Sequence, residues 1–305
     1  MPPEPFTAID SPIGRSHNHS RDSSGSGLFL LAPAAHHDHT AATFAWTGRF
    51  FLGLSFLVFG AQELRYAGFV PDLGLVPYGA PAHRLFSWLA GAVLLLAGSA
   101  ILTGKYQRTL TFLLGFVFLL AACSRFAFHI PRLVTSVSYR TVFFELLACA
   151  AGSWMIASLL PAHDSRLPSA AIAQSFATVG LWIVAIASIV FGIGHFQVPA
   201  FIASIIPHWI PFRLFLAWCT GVAFVAAGLS IATRVRTRLG AALLGLMFFL
   251  WVLIVHAPRI AHALHNGDEW NSGFVCLTMA GCALLAAALA PRTRTQSVAP
   301  LSEGS

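Results

Sequence analysis

The chain has 305 residues, 57% of them apolar and 10% charged, with a mean hydropathy of +0.74. A soluble chain carries roughly a quarter charged residues and under half apolar ones, so this is an integral membrane protein; a secreted disulfide scaffold, a disordered regulator and a nucleic-acid-binding domain are excluded. The net charge of +7 does not bring nucleic acid back as a partner. Its basic residues stand singly between apolar runs, which is how loop charges orient a membrane protein.

Residues 1–42 are rich in Ser, Pro, Gly and His and read as a disordered cytoplasmic tail. The run from Gly27 to Ala35 behind Arg15 and Arg21 imitates a signal-peptide core, but its apolar stretch is too short. It reads as tail, a misassigned start codon being the alternative. His17, His19, His36, His37 and His39 could attract Zn, Ni or Cu, but no ordered scaffold fixes a geometry, so no metal site is assigned. Cys123, Cys149, Cys219, Cys276 and Cys282 all lie inside apolar runs with no C-x-x-C spacing, and read as small hydrophobes.

After the tail come apolar runs at about 46–67, 84–103, 109–130, 140–160, 175–196, 213–232, 238–257 and 272–290. Each approaches the ~20 residues a helix needs to cross a bilayer. They are continuous rather than alternating, so they predict helices and not barrel strands. The expected fold is therefore an all-α polytopic membrane protein with eight transmembrane helices.

A shift of 130 positions, without a gap, lays Pro77, Pro81, Trp88, Gly91, Gly98, Arg108, Gly115 and Phe118 on Pro207, Pro211, Trp218, Gly221, Gly228, Arg238, Gly245 and Phe248. With small indels Val58-Phe59-Gly60 matches Val190-Phe191-Gly192, and His129-Ile130-Pro131-Arg132 matches His256-Ala257-Pro258-Arg259. The chain reads as a duplicated four-helix unit. Four being even, both copies enter the membrane alike, which makes a parallel repeat: two four-helix bundles side by side, over residues 43–162 and 173–291, then a short cytoplasmic tail at 292–305. Lys105, Arg108, Arg166, Arg234, Arg236, Arg238, Arg292 and Arg294 fall on one side, which the positive-inside rule places in the cytoplasm with both termini.

On the other side, residues 69–82 and 197–212 are apolar but broken by prolines, so neither can span. Tyr78, Phe201 and Trp209 suit the headgroup level. Each segment reads as a structural lid over its unit or as a lateral entrance for a lipid-soluble ligand.

Ionisable residues near spans are functional hypotheses by default. Glu63 near the end of the first helix stands where His195 stands in the second half, and a local ion pair with Arg65 is the plain alternative. His-x-Pro-Arg closes the third helix of each half, with His129 and Arg132 in one and His256 and Arg259 in the other. The prolines and arginines read as helix stops and C-caps. His129, His195 and His256 at one depth could ligate a haem or metal, hydrogen-bond a quinone, or be satisfied interfacial imidazoles. The candidate ligand site is His195, Trp209, His256 and Arg259, with Glu63, His129 and Arg132 as first-half counterparts. Arg125 and Glu145, on neighbouring helices at similar depth, predict a structural ion pair. No Walker loop, H-E-x-x-H or G-x-S-x-G occurs, so soluble-type catalysis finds no support and catalytic residues stay unassigned.

Gly48-Arg49, Phe59-Gly60-Ala61-Gln62, Pro207-His208-Trp209-Ile210-Pro211, Thr220-Gly221-Val222-Ala223, Leu244-Gly245-Leu246-Met247-Phe248 and Glu269-Trp270-Asn271-Ser272 resemble the DoxX-like membrane proteins of bacteria over about 45–290. The resemblance implies four-helix units in a bacterial inner membrane. The family takes its name from a small membrane subunit of a thiosulfate:quinone oxidoreductase, which makes a quinone the candidate cofactor and redox-enzyme subunits the candidate partners, beside the lipid bilayer. This chain departs by being doubled and by Glu63, where His195 leads one to expect histidine. Three functions stay open: a quinone-associated oxidoreductase subunit, a small-solute transporter, and a membrane anchor without its own ligand. Scarce intramembrane polarity weighs against the transporter.

Overall fold

The computed structural model describes residues 38–66, 83–104, 107–160 and 168–291, without the side chains of Gln107, Arg125 and Phe128. All regular structure among them is helical: α1 (His39–Tyr66), α2 (His83–Thr103), α3 (Gln107–Phe126), α4 (Ile130–Thr135), α5 (Val137–Leu159), α6 (Ala170–Gln197), α7 (Pro199–Ile205), α8 (Arg213–Ala232), α9 (Thr237–Trp251), α10 (Ala257–His262) and α11 (Gly267–Leu289). The tail expected at 1–42 lies outside the described residues up to position 37, and α1 takes up its last four positions. Asp38 is the reason, since its Oδ1 accepts from the Ala41 amide at 3.1 Å and caps the helix.

Seven helical stretches among the described residues are long and apolar enough to cross a bilayer, α9 doing so through to His262. The apolar stretch of α3, Arg108–Ser124, is shorter, because arginines bracket it at 108 and 125. Outward-facing Leu96, Leu120 and Phe215 are 63–68% exposed, as befits side chains meeting acyl tails.

Residues from Asp38 onward form one compact unit. Its packing differs from two self-contained bundles: α1 lies chiefly against α2 and α11, α6 against α8 and α5, α3 against α5, and α9 against α11. The fourth long helix of each half thus packs on the first long helix of the other, and α5 and α11 also touch. These two are the most enclosed spans, each 61% buried over its apolar window, so neither could serve as the outer wall of a separate bundle. Trp154 on α5 shows why: it donates to the Phe112 carbonyl of α3 at 3.2 Å while its ring meets Phe176 of α6 at 5.0 Å.

Glycine sets the depth of these seams. A Cβ at Gly60 would lie 2.7 Å from the Gly91 carbonyl oxygen of α2, and one at Gly98 would lie 2.7 Å from that of Gly53. In α6 and α8 the same distances recur: 2.7 Å from Gly192 to the Gly221 oxygen and 2.7 Å from Gly228 to the Ala185 oxygen. Between halves, a Cβ at Gly48 would lie 2.8 Å from the Gly281 oxygen of α11. Small residues matter here because lipid is as apolar as leucine, and association rests on close packing.

The charges inside the body serve the helix ends. Arg49, mid-way along α1, donates to the Ile101 carbonyl in the last turn of α2 at 3.3 Å. Arg238 pairs with Asp38 at 2.7 Å and donates to the Ala290 carbonyl at 3.4 Å, tying the start of α9 to the start of α1 and the end of α11. Replacing Gly60 or Gly192 with leucine is expected to cost about 1–3 kcal/mol by overpacking. Thermal unfolding in detergent checks this, with lipid-facing Leu96→Ile as the unchanged control.

Candidate functional site

His195, His256, Glu63, His129 and the paired arginines all fall at the membrane face opposite the Arg234–Arg238 loop, as α6, α9, α1 and α3 each run toward it. Glu63 and His195 do occupy matching places: a Cβ at Gly91 would be 3.0 Å from the Glu63 Cβ, and one at Gly221 would be 3.0 Å from that of His195. Glu63 is buried at 3% exposure. Arg65 turns elsewhere, to His265 Nδ1 at 3.5 Å in the α10–α11 connection, where Tyr66 also donates to the His265 carbonyl at 3.2 Å.

His195 is half-buried, with Nδ1 2.8 Å from the Phe191 carbonyl and its ring 5.1 Å from Phe224. Its Nδ1 is thus held within α6 and its ring against α8. Trp209 is 75% exposed, and among the described residues neither a hydrogen bond nor a ring contact joins it to His195 or His256. The connection over α8 contains α7, which packs on α8. The first-half loop expected at 69–82 lies outside the described residues.

The His-x-Pro-Arg segments act differently from stops. Pro131 stands in the first turn of a new helix, α4, where a missing amide hydrogen costs nothing, and Pro258 follows the π turn where α9 runs on through α10 to His262. The arginines reach forward instead of capping backward. Arg132 donates to the Tyr139 hydroxyl at 2.8 Å, and Arg259 grips Glu269 with two bonds of 2.8 Å each. Tyr139 and Glu269 hold corresponding positions at the starts of α5 and α11, each near a capping side chain: Ser136 accepts from the Tyr139 amide and Asn266 from the Asp268 amide.

The two histidines before them differ most. His129 ends a 3₁₀ turn, Ala127–His129, with its ring 6.0 Å from Tyr139. His256 ends a π-helical turn, Val252–His256, in which the Ala257 amide bonds back to the Val252 carbonyl. The π turn carries the imidazole onto α11, where a Cβ at Gly273 would be 3.3 Å from the His256 Cβ. There Nδ1 is buried without a hydrogen-bond partner among the described residues. Asn271 on the same helix and Gln62 near the end of α1 also bury side-chain oxygens without partners. Single π turns inside α-helices concentrate at functional sites.

Arg259 therefore sits beside His256 but is spoken for, and an anionic oxygen would have to compete with a bidentate carboxylate. Glu269, Gln62 and Asn271 are the residues that site selection from sequence passed over; all three lie in the strings that carry the family resemblance. The Arg125 side chain is outside the description, so its ion pair with Glu145 is not seen. Among the described residues no three His, Cys, Asp or Glu side chains converge to hold a metal.

Residues 44–130, covering α1 to α3, match the DoxX family model. Over that stretch the chain is similar to the DoxX family. No curated protein and no solved structure matches the chain. A double-mutant cycle of Arg259→Ala and Glu269→Ala, read by thermal unfolding, should return a coupling of about 1 kcal/mol, the part-exposed setting keeping it near the upper end for surface pairs.

Proposed function

We propose that this DoxX-like protein is a quinone-associated subunit of a membrane oxidoreductase in the bacterial inner membrane, with both termini cytoplasmic, built of eight spans by duplication of a four-helix unit. The carrying observation is the buried, unpartnered Nδ1 of His256 on a π turn against Gly273. Burying a polar atom without a hydrogen bond costs roughly 1–3 kcal/mol. A ligand supplying that bond recovers the cost. A neutral imidazole can donate to a ring carbonyl or accept from a ring hydroxyl, so it suits both redox forms of a quinone. Asn271 and Gln62 bring two further acceptor oxygens to the same end of the molecule, and Asn271 has an amide to donate.

Arg259 serves here by position rather than by contact with the ring. Held by Glu269, it fixes the start of α11 beside the π turn and so fixes the depth of His256. The duplication is supported by the equal glycine approaches in the α1–α2 and α6–α8 seams. Divergence at the third helix, 3₁₀ before His129 and π before His256, supports a reading in which the second half binds the ligand and the first supports it.

Extraction of the protein purified in mild detergent, followed by chromatography for co-purified quinone, tests the reading. His256→Ala is expected to lose most of the bound quinone with helical content unchanged, and His129→Ala to keep it. Equal retention in the two variants, or no quinone in the native protein, would favour a membrane anchor without its own ligand.

A further inference from the structure

At the opposite, basic face, the start of α6, the end of α8, the start of α9 and the end of α11 enclose a cavity of about 170 Å³. Its wall divides by polarity. Trp182 and Ile231 face it from the apolar side, while Gln174, Thr178, Arg234 and Thr237 supply amide, hydroxyl and guanidinium groups. Among the described residues no carboxylate lines it, and the nearby Asp38 is committed to Arg238 and to the α1 cap. The Arg234 amide donates to the Ile231 carbonyl at 3.3 Å, while its exposed guanidinium has no hydrogen bond or ion pair among the described residues. The cavity thus carries an uncompensated positive charge at helix-end depth, the level of lipid headgroups.

Arg234 is there against a conformational preference. Its φ is +58°, in the left-handed region that disfavours any residue with a side chain. In the ungapped 130-residue register its counterpart is Gly104, also left-handed, at φ +85°. The turn needs a positive φ in both halves, and glycine meets the need without strain. The second half, where the cavity is, keeps an arginine instead.

We propose that this cavity binds the phosphate and glycerol of an anionic phospholipid, with Arg234 on the phosphate, Gln174 and Thr178 on the glycerol oxygens, and Trp182 and Ile231 against the first methylenes of the acyl chains. Basic hollows between spans suit anionic lipid headgroups, and a cation at that depth attracts them electrostatically. The site is independent of His256, at the other end of the same helices.

The test uses the full chain in detergent with added phosphatidylglycerol, phosphatidylcholine or inorganic phosphate, bound lipid being counted by native mass spectrometry. Arg234→Gly is the informative variant, since Gly104 already adopts this turn; Arg236→Gly relieves a similar strain, at φ +51°, outside the cavity lining. The expected result is preferential retention of phosphatidylglycerol, lowered about fivefold by Arg234→Gly and unchanged by Arg236→Gly, with both variants at least as heat-stable as the parent in lipid-free detergent. Equal retention of the two lipids, or equal loss in the two variants, would overturn the proposal. Displacement of the lipid by millimolar inorganic phosphate would overturn the lipid assignment in favour of a free-phosphate site. Thr178→Leu, which fills the cavity without touching the loop, should reproduce the loss.

Discussion

Nothing in a lipid phase pushes two apolar helices together, so they associate only where their backbones can come close. In this molecule that condition is met by glycines facing carbonyl oxygens: Gly60 against Gly91, Gly98 against Gly53, Gly192 against Gly221, Gly228 against Ala185, and Gly48 against Gly281. The first four draw α1 to α2 and α6 to α8. The last draws α1 across to α11, and it changes the architecture. With α1 held by α11 and α6 held by α5, neither half closes upon itself.

The interlock explains how polar side chains are used at the face that holds His256. Arg65 and Tyr66, leaving α1, bond to His265 just ahead of α11; Gln197, leaving α6, bonds to Arg140 in the first turns of α5. Each tie joins one half to the other at the same level. Arg132 and Arg259 add a tie within each half, from the end of the third long helix to the start of the fourth. With the helix starts fixed in this way, a local change in winding has a definite result. The π turn at Val252–His256 moves one imidazole onto the α11 surface, whereas the 3₁₀ turn at Ala127–His129 leaves its counterpart near Tyr139.

Much of this was legible in the sequence. The helix expected at 213–232 is α8 (Arg213–Ala232), and 84–103 differs from α2 by one residue, because charges and prolines mark those boundaries. The matched placement of Glu63 and His195 followed from aligning the halves. Other features were out of reach because they depend on tertiary contacts. Periodicity cannot say which helix covers which, so the exchange of α5 and α11 between halves was invisible. Proline after histidine reads equally as a stop or as the first turn of a new helix, and only the chain direction beyond it decides. Nothing in the string predicts that Arg259 reaches Glu269, ten residues later, at the start of α11. His195 shows a contact the string does not reveal, its Nδ1 lying against the Phe191 carbonyl one turn back.

The interlock is the claim on which the rest depends, and a cross-link tests it directly. Cysteines at Arg65 and His265, in the full chain with its native cysteines replaced and a protease site placed between residues 160 and 168, are to be oxidised in dilute nanodiscs and the chain then cut. The account predicts that the two fragments stay joined on a non-reducing gel and separate on reduction. Separation of the fragments without reductant, with the protein otherwise folded, would contradict the exchange of α11 onto α1 and restore two independent bundles.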